Sequence, residues 1–278
     1  MGFDVDACAS GNAASWRQRG DAAVAADPEL AEFRESCRTP RVGSDVSDDK
    51  LLRFLELDPP RLVSTYRYYC EIDGAEVAAA NVYGDARWGA RRAAVEDGVA
   101  DRGGVVYGTL DLPGCCGDED DYGPYRLVFD PAAEPEGSGR RPALVIPHNS
   151  AKWYGGPDGE LDEALLCGEV ARWDERGEVA AERLGPRLGG SARESWPAIV
   201  SRSDGDRDLV EVLVRDGERP LDQIDAIRVD AAYFKPRADA YCEALVSDPA
   251  IAVELPAGVL LVGRLDSDPS IPLEVVGR

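Results

Sequence analysis

Apolar positions along this chain change spacing repeatedly, from helical to alternating and back, without an internal repeat. Residues Ser15–Ala26 form an alanine-rich helical piece. Asp27-Pro28 then offers an N-cap with proline at the first helical position, which predicts a helix over Glu29–Arg38. Ser47 precedes a third helix in which Leu51, Leu52, Phe54 and Leu55 make one apolar stripe, ended by Asp58-Pro59-Pro60. Beyond Pro60 the character changes. Arg61–Ile72 is rich in aromatic and β-branched residues and predicts a strand closed by Asp73-Gly74. Alanine-rich residues 75–98, with Trp88 and the arginines 87, 91 and 92, predict helix. Strands are expected over Gly104–Leu112, Tyr125–Phe129 and Ala143–Ile146, with a surface loop of proline, glycine and charge at residues 131–142.

The second half continues in the same mixed fashion. A helix is expected over Leu161–Trp173, a glycine-rich connection over Arg183–Pro197 and a short strand over Ala198–Arg202. Leu209–Val214 reads as a strand, Pro220–Ile224 as a helical turn and Ala226–Val229 as a second strand. A helix (Arg237–Val246) and two strands (Ile251–Leu255 and Val259–Leu265) precede a polar tail. Strands and helices alternate without a βαβ rhythm. The expected fold is therefore α+β, a mixed or antiparallel sheet core (residues 59–278) carrying an N-terminal helical segment (residues 1–58).

Composition places the chain among globular proteins: 44% of its 278 residues are hydrophobic and 30% charged. No apolar run approaches the roughly 18 residues that cross a bilayer. The first residues, MGFDVDACASG, lack the basic segment and apolar stretch of a secretory signal, so a cytoplasmic location is expected. Acid dominates, with 53 Asp and Glu against 31 Lys and Arg, a net charge of −22. Only Lys50, Lys152 and Lys235 are lysines. Spread along the whole chain, this charge argues against direct nucleic-acid binding and fits adaptation to a salty interior; an acidic surface for a basic partner is the other reading.

Most catalytic signatures are missing. Neither a G-x-G-x-x-G after a strand nor a G-x-x-x-x-G-K-[ST] occurs, and there is no G-x-S-x-G elbow. Seven cysteines at irregular spacing, no C-x-x-C and a single histidine exclude zinc sites of ordinary ligand spacing, so no metal is expected. Cys115-Cys116 are read as two reduced thiols and Asp118–Asp121 as a solvated turn. His148, two residues before Ser150 at a strand end, is the sole candidate base for a Ser-His hydrolase. A histidine packed on Trp153 or Tyr154 is the competing reading. The one clear conflict between residue and pattern is Glu211, a carboxylate between Val210 and Val212 inside an apolar strand, and such conflicts gather at functional sites.

The run Val210-Glu211-Val212-Leu213-Val214, the following loop with Pro220, and Ile224 with Ala226-Ile227 resemble the closing segment of the ADP-ribosyltransferase superfamily. Together with Arg67 and Ser150 they fall in that superfamily's Arg, Ser, Glu order, over residues 61–233. Leu209 stands where the paired E-x-E or Q-x-E would have its first member. The resemblance implies NAD as substrate, with Glu211 catalytic and Arg67, Tyr107, Ser150, His148 and Tyr154 around the dinucleotide. It implies transfer of ADP-ribose to a protein or small-molecule acceptor, or NAD hydrolysis. A fixed carboxylate in a dry pocket stabilises the oxocarbenium-like cation that such cleavage builds. The alternative is a non-enzymatic, acidic α+β module that binds protein partners.

Overall fold

A computed structural model of the chain describes residues 3–84, 89–100, 103–117, 122–131, 143–155, 160–188, 195–201, 210–215, 218–247 and 255–277. Trp88, Asp118–Asp121, loop residues 132–142, Leu209 and the strand expected over Ile251–Leu255, save Leu255 itself, lie outside the described residues.

Asp4 caps the first helix, α1 (Val5–Ala26), its carboxylate accepting from the amides of Asp6 and Ala7 at 3.1 Å. Val5, Ala9, Ala13, Trp16 and Gly20 make its buried stripe at spacings of three and four. α2 (Leu30–Ser36), β1 (Val42–Val46), α3 (Asp48–Glu56) and the two-residue β2 (Arg61–Leu62) follow. The strand expected over Arg61–Ile72 goes no further than β2. Beyond it lies α4 (Thr65–Asp73), because the Ser64 hydroxyl accepts from the Arg67 amide at 3.2 Å and starts a helix. α5 (Ala75–Tyr83) and α6 (Gly89–Val99) fill the alanine-rich stretch.

β3 (Val105–Leu110), β4 (Tyr125–Phe129) and β5 (Ala143–Ile146) stand where strands were expected. After α7 (Ser150–Trp153), the helix expected over Leu161–Trp173 shortens to α8 (Glu163–Glu169), followed by β6 (Ala171–Arg172). α9 (Arg176–Leu188) occupies the first part of the expected glycine-rich connection. α10 (Trp196–Ser201) replaces the strand expected over Ala198–Arg202. β7 (Glu211–Arg215), β8 (Arg219–Pro220), a 3-10 turn at Leu221–Gln223 and β9 (Ile224–Asp230) reproduce the expected strand–turn–strand. α11 (Ala231–Ser247) starts earlier than expected. α12 (Ala257–Ser267) overturns the strand over Val259–Leu265, and β10 (Leu273–Val276) ends the series.

The chain is α+β, and its residues gather into two compact units, each made of three separated stretches. The first takes Met1–Val42, Val63–Pro113 and Pro131–Glu218; the second takes Gly43–Leu62, Gly114–Asp130 and Arg219–Arg278. This division falls elsewhere than at residue 58, since the N-terminal helical segment contributes to both.

In the first unit the strand order is β3–β7–β5–β6, all antiparallel. β7 is flanked on both sides, with Glu211 opposite Thr109 and Ile146, and Leu213 opposite Tyr107 and Leu144. Leu213, Leu144, Ile146 and Val105 form one apolar face, covered by Val5 and Ala9 of α1, Val95 and Val99 of α6, Tyr154, and Leu166 of α8. α1 also lies close against α9: a Cβ on Gly20 would sit 2.9 Å from the Cβ of Glu178. A disulfide joins Cys8 of α1 to Cys167 of α8, a pair that sequence spacing does not single out. Neither Cys115 nor Cys116 is part of a disulfide.

The second unit has mixed pairing, with β9 antiparallel to β4 and parallel to β10. A short antiparallel ladder joins β2 and β8. The Arg126 guanidinium is fully buried, bonded to Asp45 at 2.8 Å and laid against Gly43, where a Cβ would come within 2.1 Å of it. Among the described residues, no helix is long and apolar enough to cross a membrane.

Candidate functional site

The site is built on the apolar face of the first unit. Glu211 is the first residue of β7, and strand alternation places it on the same side as Leu213. It is only 7% exposed. Opposite it, Pro147 follows the end of β5 and Asn149 caps α7, its side chain accepting from the Lys152 amide at 3.2 Å. As the first residue of that helix, Ser150 has an amide with no acceptor inside it. That amide donates to Glu211 Oε2 at 2.8 Å, joining positions 61 residues apart in the chain.

Burial dominates the electrostatics of Glu211. Taking a carboxylate out of water disfavours its charged form, and the carboxyl is pushed up to about 7. The Ser150 hydroxyl and amide and the charge of Arg92 pull the other way without cancelling the burial. Ser150 Oγ is itself fully buried. It is near enough to favour the carboxylate, yet it lies outside hydrogen-bond geometry and has no partner.

Two tyrosines share this field. Tyr107, on β3, is partly buried as a side chain but its hydroxyl sits deep. Burial and then Glu96 raise its pKa well above the ordinary value, and Glu211 adds to the rise. Glu96, in the middle of α6, is almost wholly buried and collects donors: Arg92 Nε at 2.9 Å, the Gly103 amide at 2.8 Å, and the hydroxyls of Tyr83 and Tyr107. Arg92 also lies over the Tyr107 ring, 4.4 Å from its centroid. Tyr154 is fully buried and donates its hydroxyl to Glu169 Oε2 at 2.7 Å. Its pKa is raised by burial first and by Glu169 next, with Glu211 contributing.

His148 is occupied differently from a catalytic base. Its ring stacks on Trp153 at 4.4 Å. Arg183 Nη2 lies 3.1 Å from its Nδ1; because a guanidinium can only donate, that nitrogen must be the acceptor and the ring proton belongs on Nε2, 3.6 Å from Glu169 Oε2. Since Ser150 Oγ has no hydrogen-bond partner, the Ser-His pair of a hydrolase is not formed.

The structure thus brings together Glu211, Ser150, Tyr107 and Tyr154, with His148 at the edge beside Tyr154. Arg67 is placed otherwise. It sits on α4 rather than on a strand, its side chain is 56% exposed, and it pairs with Glu218 at 2.7 Å. Arg92, Glu96, Glu169 and Arg183 are the members that sequence reading missed. The i,i+4 spacing of Arg92 and Glu96 was the only local signal, and on a helix it ordinarily marks a solvated pair. Among the described residues, no group of three His, Cys, Asp or Glu side chains could hold a metal ion. No family model, curated protein or solved structure matches the chain.

Proposed function

We propose that this chain is an enzyme acting on the nicotinamide–ribose bond of NAD, passing ADP-ribose to an acceptor or to water. The observation that carries the reading is the meeting of Glu211 with Ser150 in a dry, aromatic-lined setting. Heterolysis of that bond leaves positive charge on the ribose. An ionised Glu211, poorly solvated and already positioned, would stabilise that charge as it develops. The Ser150 hydroxyl lies beside the carboxylate, enclosed in this structure, and would meet a ribose hydroxyl once the site opens; Tyr107 and Tyr154 would then offer their rings on either side, their hydroxyls being held by Glu96 and Glu169. Arg92, the cation whose charge reaches Glu211, is better placed than Arg67 for the role the resemblance assigns to an arginine.

The reactive form is the carboxylate, so turnover should rise with pH through about 7. The complete enclosure of Ser150 and Tyr154 favours a second reading, in which the cluster serves a non-enzymatic protein-binding module. One assay separates the two: NAD consumption followed by chromatography in molar salt, for the wild type and Glu211→Gln. The glutamine variant should lose at least about 100-fold in turnover, on the order of 3 kcal/mol of transition-state stabilisation, while still binding NAD. Arg67→Ala should leave turnover unchanged. A wild-type protein that neither binds nor consumes NAD would sink the enzyme reading.

A further inference from the structure

We propose that the Cys8–Cys167 disulfide is a redox lock on this site, and that a dithiol reductant opens it. The inference does not depend on which substrate the site takes. α8 is a seven-residue helix, far below the length at which a helix holds its shape unaided. Leu166 is its only buried residue, while Glu163, Ala164, Leu165 and Gly168 are exposed. What fixes it to α1 is the disulfide and three hydrogen bonds at the same place. Asn12 Nδ2 donates to the carbonyls of Cys167 and Val170 at 2.7 and 2.9 Å, and Trp16 Nε1 donates to that of Glu169 at 3.1 Å.

α8 in turn holds Tyr154 from two directions. The Asp162 amide, at the helix N-cap, donates to the Tyr154 carbonyl at 2.8 Å, and Glu169 accepts from the Tyr154 hydroxyl. Glu169 also faces His148. Tyr154 ends the short segment that contains Ser150, the residue bonded to Glu211. The covalent link therefore sits at one end of an uninterrupted run of contacts, and the buried carboxylate sits at the other. Both cysteines are only partly buried.

The exchange is balanced. A dithiol thiolate attacks one sulfur and displaces the other as thiolate; the second thiol of the reagent resolves the mixed disulfide. Cys8 and Cys167 end as two thiols, and the reagent leaves as its cyclic disulfide, having given two electrons and two protons. With the tether gone, α8 is kept by Leu166, by the flanking Leu161 and Val170 in the same core, and by hydrogen bonds that water can replace. Opening of α8 then frees the wall formed by Tyr154 and exposes Ser150 and Glu211.

The test is amide hydrogen exchange by mass spectrometry on the full chain: oxidised, treated with dithiothreitol, and as Cys8→Ser and Cys167→Ser. Reduction and either substitution should speed exchange at residues 150–154 and 162–170 by about tenfold or more, leaving the β4–β9 pairing unchanged. Dithiothreitol should add nothing to Cys8→Ser, which removes the other five cysteines from consideration. Unchanged exchange at those segments would overturn the proposal. So would equal acceleration throughout the chain, which would make the bond a staple for the whole fold. Alkylation of all seven cysteines in the native protein without reductant would overturn it as well.

Discussion

Replacing Glu211 by glutamine keeps the shape of the side chain and an oxygen to accept from the Ser150 amide, and it removes the ability to ionise. The stability effect follows from the two ends of the titration. In the unfolded chain this carboxyl has its ordinary pKa of 4.5; in the fold it is pushed up to about 7. Below 4.5 both states are protonated and burial of the neutral acid costs nothing extra. Between the two values the unfolded chain gives up its proton while the native state keeps it. The unfolded state then binds fewer protons, and stability falls as pH rises. Above 7 both are ionised and the full penalty remains. At 1.36 kcal/mol for each pKa step, the penalty reaches about 3 kcal/mol. The group is nearly enclosed, so solvent screening does not reduce it much.

The variant has no such penalty. Its stability minus that of the wild type should rise by about 3 kcal/mol between pH 4.5 and pH 8, with the other carboxylates cancelling in the difference. Urea unfolding in constant molar salt measures it, and melting temperatures should separate by roughly 6–12 °C at the upper pH. A difference that stays level across this range would mean that Glu211 titrates as an ordinary surface acid. The dry setting on which the proposed chemistry rests would then be wrong.

Other expectations are more local. Ser150→Ala deletes a buried hydroxyl that favours the Glu211 carboxylate; it should move the Glu211 titration upward, seen as a displaced window in the same pH series, with its loss of stability confined to pH above about 7. Gly43→Ala drives a methyl into the Arg126 guanidinium and should cost about 1–3 kcal/mol in a thermal-shift measurement, whereas Gly11→Ala, at an open position inside α1, should stabilise by about 0.5–1 kcal/mol. With a net charge of −22, the melting temperature should climb from 0.1 M to 1 M salt as the Debye length falls from about 10 Å to about 3 Å; a flat or falling trend would refute the salt-adapted reading.

Sequence pattern captured the short, largely apolar runs that become strands buried at every position, such as Tyr125–Phe129 and Ala143–Ile146, and the central run around Glu211. It failed where local composition and position disagreed. The aromatic stretch Tyr66-Arg67-Tyr68-Tyr69 looks like strand, but the Ser64 cap turns it into helix. The run Gly258–Leu265 is apolar enough for a buried strand, and periodicity cannot separate the two in so short a window; in the fold Leu261, Val262 and Leu265 face inward at helical spacing. β1 and β10 carried no signal, since Val42-Gly43-Ser44-Asp45-Val46 becomes a strand only through its neighbours. The site was half legible. A carboxylate in an apolar strand announced Glu211, and Ser150 came with it through the resemblance. Glu96 and Glu169 could not be found, because a helical acid buried by tyrosines has the same sequence signature as one bathed in water.

The two units interleave along the chain, and this sets an order on synthesis. As the chain leaves the ribosome, the first unit cannot close before Glu211–Arg215 arrives, because β7 must enter between β3 and β5, both already made. The second unit waits longer still. Residues 43–62 and 114–130 emerge early and then stand without β9, their antiparallel partner for β4, until residues 224–230 are made. Both units are thus built from distant pairings, the arrangement that folds slowly and spends longest with open strand edges. Truncation at any single point before residue 224 leaves β4 without β9, so neither half of the gene is expected to yield a folded fragment.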